Sequence, residues 1–230
     1  MNFSVIIAAW NEGAQIDSSL KRLRQISSPG ATEIIVVDGN SSDDTVEQAR
    51  RWADQIIVWE QANAGAQFDA GAKKATGDLL VFLRPDLQLS GNWQQVLEHY
   101  WLTEHLKPIA ATAFSVDYGS SFSLRLTSML ANSSLGWRSL VAGDHGLCTT
   151  PEIYRKSGGY PPLPYGEDWI FSKRLSRHGE VRLLKERIRP AARRMHQLGL
   201  FKYMFKQAWW DLLFELGVSP DKLWRRYRGL

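Results

Sequence analysis

The sequence lacks the features that define several large classes of protein. Cys148 is the one cysteine among 230 residues, which excludes an internal disulfide and fits a reducing compartment. No run approaches the roughly 18 to 20 apolar residues that a membrane-spanning helix needs, and the apolar start, Phe3–Ile7, is too short for a secretory signal. The charge is also mild, since 28 basic and 24 acidic residues leave a net charge of +4. We therefore expect a cytoplasmic protein that does not bind nucleic acid.

The sequence also lacks the glycine-rich turn of a dinucleotide-binding dehydrogenase. Such proteins carry Gly-x-Gly-x-x-Gly after their first strand, whereas Gly13 is the one glycine between Ala8 and Ala14. Ten tryptophans stand out against these absences. Large aromatic side chains are foremost core and interface material, so we interpret them as packing residues.

The first half of the chain alternates between strand and helix patterns. Ile16, Leu20 and Leu23 recur at the spacing of one helix face, and small residues predict another helix over Gln67–Thr76. Four short apolar runs have the pattern of buried parallel strands: Phe3–Ala9, Glu33–Val37, Gln55–Trp59 and Leu79–Leu83. This alternation predicts an α/β fold in which helices flank a mostly parallel sheet.

The second half of the chain is less regular. Its patterns predict a helix over Trp93–Leu106, a strand over Ala110–Val116, an amphipathic helix over Phe122–Leu135, a turn-rich loop over Gly143–Gly166 and a helix over Trp169–Arg177. We assign residues 1–197 to one domain and residues 198–230 to a C-terminal helical appendage of it. Aromatic and basic residues mix over 198–216, which fits an interfacial membrane helix or a helix that packs on the domain or on a second subunit.

Polar residues follow three of the predicted strands. Because ligands of open parallel sheets bind beyond the carboxyl ends of the strands, we expect Asn11-Glu12, Asp38 and the segment Arg84–Asp86 to face one crevice. Asp38 and Glu12 could accept hydrogen bonds from a base or a ribose, or could cap the helices that follow. Asp86 could bind a divalent cation that bridges two phosphates, because hard cations take oxygen ligands.

Two further charged clusters are candidates for chemistry. Glu167-Asp168 opens a helix after a stretch rich in glycine and proline. The pair is either an ordinary helix-start charge or a general base that reaches into the crevice, and the pattern alone favours neither. Arg193-Arg194, with Arg187 and Arg189 nearby, either binds phosphate oxygens or forms a solvated charged face.

Taken in order, these motifs resemble the family 2 glycosyltransferases. The ordered set spans nearly the whole chain and is specific where any single motif is not. The matching segments are Ser4–Ile7 with Asn11-Glu12, Ile34–Asp38 with Ser41–Thr45, Gly71-Ala72 with Ala75–Asp78, Phe82-Leu83, and Gly158–Tyr160 leading to Glu167-Asp168.

The resemblance implies a fold, an activity and a set of site residues. The fold is the nucleotide-diphospho-sugar transferase (GT-A-like) fold, with a mixed, mostly parallel sheet and a catalytic domain over residues 1–197. The activity is inverting transfer of a sugar from a nucleoside diphosphate, foremost UDP, with Asp168 as the general base and Glu167 beside it. The residues implied to bind the nucleotide sugar are Ala8, Asn11, Glu12, Asp38, Gln67, Asp86, Arg193 and Arg194.

A finer likeness points to one small bacterial branch of the family. Gly143–Gly146, Arg193-Arg194 and Leu216–Pro220 with Tyr227 look like the glycosyltransferases associated with radical-SAM genes and arsenosugar biosynthesis. This likeness implies that Asp144, His145 and Gly146 border the acceptor or the sugar. The acceptor itself is left open between a small molecule and a lipid.

One departure from the family pattern concerns the metal. The family's metal motif is Asp-any-Asp, and Arg84 stands at its first position here, which leaves Asp86. Arg84 could supply part of a cation's charge, so the need for Mn²⁺ or Mg²⁺ stays open. Two alternatives also stay open: a degenerate nucleotide-sugar-binding protein without turnover, and a peripheral membrane transferase that acts on a lipid. Retention of Glu167-Asp168 argues against the first.

Overall fold

A computed structural model describes residues 1–103, 107–138, 141, 143–190 and 200–228. The strands are β1 (Phe3–Ala9), β2 (Thr32–Asp38), β3 (Gln55–Val58), β4 (Leu79–Leu83), β5 (Leu87–Gln88), β6 (Ile109–Val116), β7 (Leu147–Thr149) and β8 (Glu180–Pro190). The helices are α1 (Gly13–Ile26), α2 (Thr45–Ala49), α3 (Ala64–Ala72), α4 (Trp93–Leu102), α5 (Phe122–Arg138), α6 (Pro151–Lys156), α7 (Glu167–Leu175), α8 (Leu200–Glu215) and α9 (Pro220–Arg228).

The strands form one sheet in the order β3-β2-β1-β4-β7-β6-β8-β5. The first four strands by position pair in parallel, with Ala9 opposite Asp38 and Ile7 opposite Leu83. The carboxyl ends of β2, β1 and β4 therefore meet at one edge. This arrangement confirms the prediction that the polar residues after these three strands lie on the same side of the fold.

Both faces of this sheet are covered, as the continuous apolar strands predict. Along β1, Val5 and Ile7 pack in a core layer with residues of α1 and α4, while Ile6 packs in the opposite layer with residues of α3 and α7. Trp93 of α4 and Phe171 of α7 are fully buried in these two layers. Alternate side chains of one strand thus hold helices on either side, which fixes where each helix begins relative to the polar edge.

The second half of the sheet is mixed, and here the prediction of a turn-rich loop over Gly143–Gly166 is wrong. That stretch contains a short 3₁₀ turn (Gly143–His145), the antiparallel strand β7 and helix α6. The Thr150 side chain caps α6 by accepting a hydrogen bond from the Ile153 N–H at 3.3 Å, and Pro151 occupies the first turn. The glycines and prolines punctuate short elements, and β7 is too short for its pattern to show in sequence.

The longest strand, β8, was not predicted. It pairs in parallel with β6 and antiparallel with β5. Its sequence is rich in charged residues, and most of its side chains are only half-buried. A strand that is apolar at few positions gives a weak alternation signal, which explains the miss.

Helix boundaries differ from the predictions by a few residues. Helix α3 begins at Ala64, three residues before the predicted start, because the Asn63 side chain accepts a hydrogen bond from the Ala66 N–H at 3.0 Å and so caps the helix. It ends at Ala72 rather than at Thr76. Helix α4 ends at Leu102, α5 extends to Arg138, and α7 begins at Glu167 itself.

The C-terminal helices pack onto the rest of the chain. The Phe214 ring of α8 lies against Gly166, where an added Cβ would come within 2.4 Å of it. Tyr165 donates a hydrogen bond to Asp211 at 2.8 Å, and the rings of Trp10 and Trp224 lie 6.3 Å apart. The aromatic residues of this appendage thus cover the start of α7 and the end of β1. Within the described residues, no helix is long and apolar enough to cross a bilayer.

Candidate active site

The loops that follow β1 and β2 are tied together by reciprocal hydrogen bonds. The Asn11 N–H donates to Ser41 Oγ at 2.8 Å, and the Ser42 N–H donates back to Asn11 Oδ1 at 2.9 Å. The Glu12 N–H donates to Thr45 Oγ1 at 2.8 Å. Asn11 adopts a left-handed backbone with φ 52°, a conformation that asparagine tolerates better than most residues. These contacts hold the ends of both strands at a fixed spacing.

Two of the predicted nucleotide-binding residues contribute to the same framework. Asp38 is buried, and its carboxylate accepts from the backbone N–H of Ser41 at 2.8 Å and from its hydroxyl. Gln67 is buried too, and its Nε2 donates to the carbonyls of Ala9 and Val37 at 2.8 and 2.7 Å. Both side chains therefore brace the strand ends. Whether either also contacts a nucleotide stays a prediction.

Glu12 and Ala8 lie at the same edge. Ala8 is half-buried and opposes Val37 across the β1–β2 pair. Glu12 precedes α1, yet its carboxylate accepts a hydrogen bond from the Gln15 side chain and makes no capping bond to the helix backbone. The capping interpretation of Glu12 is therefore wrong for its side chain, and nucleotide binding stays a prediction.

The carboxylates of Glu167 and Asp168 converge on Arg84. Arg84 Nη2 lies 3.1 Å from Glu167 Oε1 and 3.1 Å from Asp168 Oδ2. The second oxygen of Asp168 accepts a hydrogen bond from the Tyr160 hydroxyl at 2.9 Å. The two carboxylates are nearly enclosed, with 3% and 8% of their side chains exposed, whereas 37% of the Arg84 side chain is accessible. Together these four residues form what we call the Arg84 cluster.

The electrostatics of the Arg84 cluster follow from this burial. Burial raises the pKa of Glu167, the neighbouring charge of Asp168 raises it further, and Arg84 opposes both. Burial alone would lower the pKa of the Arg84 guanidinium, but the surrounding carboxylates raise it, so this residue keeps its charge. Burial, reinforced by Asp168, raises the pKa of Tyr160 well above the usual range. Tyr160 is therefore a permanent donor to Asp168.

Arg84 also carries an unmet hydrogen bond. Its Nε is buried, and none of the described residues accepts a hydrogen bond from it. An unsatisfied buried donor costs roughly 1–3 kcal/mol and in native proteins calls for an explanation such as a ligand. The lack of a side chain at Gly143 leaves room for the guanidinium, because a Cβ there would lie 2.4 Å from Arg84 Nη2.

The segment Asp144–Gly146, predicted to border the acceptor or the sugar, passes beside the Arg84 cluster. Asp144 accepts a hydrogen bond from the Tyr118 hydroxyl at 3.0 Å and contributes to the field around Arg84. His145 is buried, and its Nδ1 lies 2.9 Å from the Phe114 carbonyl, so that nitrogen carries the proton. Burial lowers the pKa of His145. His145 is thus a neutral buried side chain, while Asp144 is half-buried.

The predicted metal site offers few side chains that could bind a divalent cation. Asp86 follows β4 and is half-buried, but the described residues contain no group of three or more histidine, cysteine, aspartate or glutamate side chains that could hold a metal ion. The carboxylates of Glu167 and Asp168 already contact Arg84. Arg193 and Arg194, predicted to bind the diphosphate, lie outside the described residues.

Comparison with known proteins identifies the family. Residues 4–157, more than half of the chain, match the family described as glycosyl transferase family 2. The chain belongs to this family. Two curated relatives, both uncharacterized glycosyltransferases of Mycobacterium tuberculosis, are 33% identical over 91 residues, which is 38% of this chain and 35% of each relative. The chain thus matches only about a third of the length of those family 2 relatives.

Solved structures place this family 2 chain in the GT-A fold. Glucosyl-3-phosphoglycerate synthase from Mycobacterium tuberculosis, in complex with Mn²⁺, UDP and phosphoglyceric acid, superimposes with a TM-score of 0.64 at 21% identity, covering 95% of this chain and 79% of that one. TarS of S. aureus with UDP-GlcNAc gives 0.63 at 20%, covering 82% and 58%. The mannosyltransferase PcManGT of Pyrobaculum calidifontis with GDP-Man and Mn²⁺ gives 0.63 at 18%, covering 96% and 66%.

Sequence reasoning missed the role of Tyr160 and the pairing of Arg84. Tyr160 belongs to the segment that carries the family resemblance, but its hydrogen bond to Asp168 becomes visible only when the chain turns back at Gly166. In sequence, Arg84 is visible as a departure from the metal motif. The signal that it pairs with Glu167, 83 residues later, is not present in any local pattern.

Proposed function

We propose that this chain is an inverting glycosyltransferase that moves a sugar from a UDP-sugar to an acceptor hydroxyl, with Asp168 as the general base. The observation that supports this most is the Arg84 cluster: a buried carboxylate pair at the start of α7, fixed by Arg84 and Tyr160, beside the edge where β1, β2 and β4 end. Uridine is the base we favour because solved structures with this fold include complexes with UDP and UDP-GlcNAc.

In the proposed reaction Asp168 takes the proton of the acceptor hydroxyl. The acceptor oxygen attacks the anomeric carbon from the face opposite the diphosphate, and the bond between that carbon and the diphosphate oxygen breaks. Negative charge grows on the departing UDP, where positively charged side chains would stabilise it. Arg84 is such a side chain, and Arg193 and Arg194 remain predicted partners of the diphosphate.

The binding residues extend the proposal along the strand edge. Asn11, Glu12 and Asp38, with Ala8 and Gln67 behind them, would border the nucleoside. Asp144 would border the acceptor, because its carboxylate lies beside the Arg84 cluster and holds Tyr118. Gly143–Gly146 also belongs to the segments that resemble the small bacterial branch linked to arsenosugar biosynthesis, and on that likeness we propose a small-molecule acceptor ahead of a lipid.

A second candidate is a peripheral membrane transferase with a lipid acceptor. It is favoured by exposed apolar side chains on and just after α8, where Trp209, Leu212 and Leu216 are 51%, 44% and 73% exposed. Exposed basic residues of α9, Arg225 and Arg226 among them, follow closely and suit anionic headgroups. Sedimentation with anionic and with neutral vesicles separates the candidates, since pelleting with the anionic vesicles alone supports the membrane role and no pelleting excludes it.

Thermal unfolding with added nucleotides tests the main proposal. UDP, GDP, CDP and dTDP are compared at equal concentration, because a ligand at a hundredfold excess over its Kd stabilises the folded state by about 2.7 kcal/mol. We expect UDP to raise the melting temperature and the other nucleotides to do so less. No rise with any nucleotide contradicts the proposal. A rise without release of UDP from any UDP-sugar supports the degenerate binding protein instead.

A further inference from the structure

The residues at the family's metal position do not fit a divalent cation in this chain. A hard cation needs several oxygen ligands, and Asp86 is the one carboxylate left of the Asp-any-Asp pattern. Arg84 occupies the other position, and its charge would repel a cation placed beside it. Glu167 and Asp168 are buried and already paired with its guanidinium. The chemistry at this position is that of a fixed cation.

We propose that Arg84 acts as the resident cation of the donor site, so that nucleotide binding by this chain is independent of divalent metal. The inference rests on the proposed function, since it concerns the diphosphate of the same donor. In this role Arg84 does two things: it positions the carboxylates of Glu167 and Asp168, and it presents positive charge to the diphosphate.

The first part of this role rests on geometry. A single nitrogen, Nη2, lies 3.1 Å from both carboxylates, so the two side chains are held toward one point. Tyr160 fixes the other oxygen of Asp168 by donating a hydrogen bond to it at 2.9 Å. Gly143 leaves the space that the guanidinium fills. Without Arg84, two buried carboxylates would face each other with no cation between them, which is strongly unfavourable.

The second part of this role rests on the N–H groups of Arg84 that do not contact the two carboxylates. Its Nε–H is buried and meets no acceptor among the described residues, while 37% of the side chain is accessible. The guanidinium group has five N–H donors, and Nη2 serves both carboxylates. Its planar array of donors matches phosphate oxygens better than a point charge does. An incoming diphosphate would contact the N–H groups on the accessible part of the side chain, and it is a ligand of the right chemistry for them.

The test compares UDP binding by the wild-type protein in EDTA and in Mn²⁺, by calorimetry and by thermal unfolding. We expect the same affinity in both conditions. Arg84→Asp restores two aspartates at the spacing of the metal motif, with Asp86. This variant is expected to lose roughly ten- to a hundredfold in UDP affinity in EDTA, as loss of a charge-assisted contact does, and to recover most of it in Mn²⁺. Arg84→Lys keeps the charge and should bind UDP weakly but without metal.

Arg177→Asp is the matched control, because Arg177 is exposed beyond the far end of α7 and the change in charge is the same. It should bind UDP as the wild type does. If wild-type binding requires Mn²⁺, or if Arg84→Asp binds UDP normally in EDTA, the inference is wrong. If Arg84→Asp does not fold, the wild type and Arg84→Lys decide it through their dependence on Mn²⁺. Failure of UDP, GDP, CDP and dTDP to bind in either condition removes the proposed function and this inference with it.

Discussion

Two regions of the sheet edge use similar polar residues in opposite ways. At the ends of β1 and β2, Asn11, Asp38 and Gln67 bond to neighbouring backbone and hydroxyl groups. In the Arg84 cluster, charged groups are buried against one another, and the Nε of Arg84 has no acceptor among the described residues. The first region stabilises the fold, whereas the second retains a hydrogen-bond donor, the Arg84 Nε–H, without an acceptor among the described residues.

This difference shows what a polar residue at a strand end signifies. Each of these side chains looks equally suited to a ligand in sequence, because residue type and position do not reveal its partners. In the fold, Gln67 donates to two backbone carbonyls. Asp168 is oriented by the Arg84 guanidinium and by the Tyr160 hydroxyl, and the Nε of Arg84 has no acceptor among the described residues. We therefore expect substitutions in the two regions to separate stability from activity.

Asp168→Asn should have the largest effect and should fall on activity. Replacing the carboxylate removes the proposed proton acceptor, and general-base catalysis is typically worth roughly 10²- to 10⁴-fold in rate. Transfer rates and UDP affinity are measured on the same preparation, and we expect UDP affinity to stay within about threefold of wild type if Asp168 acts on the acceptor alone. Asp221→Asn, at an exposed position of α9, serves as the control. A variant that transfers at the wild-type rate would exclude Asp168 as the base.

Gln67→Ala should show the opposite pattern, with loss of stability and little change in UDP affinity. The substitution removes the side-chain donor to the carbonyls of Ala9 and Val37 and the acceptor of the Asn63 N–H. The Ala9 carbonyl keeps the Gly39 N–H as a donor, and each lost hydrogen bond is worth roughly 0.5–1.5 kcal/mol. We expect a loss of about 2–4 kcal/mol in the free energy of unfolding, measured with urea. Gln95→Ala, exposed on α4, should change stability by less than about 0.5 kcal/mol. A stable Gln67→Ala protein that no longer binds UDP would assign Gln67 to the ligand instead.

The two regions also differ in how far the sequence predicts them. The parallel half was predicted nearly strand by strand, because buried parallel strands such as Leu79–Leu83 are continuous apolar runs with clear ends. The Arg84 cluster was predicted in its parts, with Glu167-Asp168 as a candidate base and Arg84 as a departure. The contact between Arg84 and these carboxylates could not be predicted, because Arg84 follows β4 and the carboxylates begin α7. Strands β5, β6 and β7 lie between these two elements in the chain. The strands β7 and β8 were missed for a related reason: their partners are distant, and their own patterns are short or polar.

The smallest expected effect is a change in the pH dependence of stability in Glu167→Gln. This variant tests whether burial makes the charged form of Glu167 unfavourable in the Arg84 cluster. The pKa of Glu167 is raised in the fold above its ordinary value of 4.5, first by burial and then by Asp168. At a pH between the ordinary and the raised pKa of Glu167, the folded protein binds more protons than the unfolded chain. Glu167 therefore makes the free energy of unfolding fall as the pH rises through this window. Glu167→Gln has no such titration, and its amide oxygen can still accept from Arg84.

Relative to wild type, the Glu167→Gln protein should therefore gain stability as the pH rises from about 4 to about 8, by at least about 1 kcal/mol, since one unit of pKa shift corresponds to about 1.36 kcal/mol. Urea denaturation across this pH range measures the difference. Glu60→Gln, exposed after β3, should follow the wild-type curve throughout. A constant difference between Glu167→Gln and wild type would mean that Glu167 titrates alike in both states. The Arg84 guanidinium would then fully offset the burial of Glu167, and the cluster would resemble the satisfied region at the ends of β1 and β2.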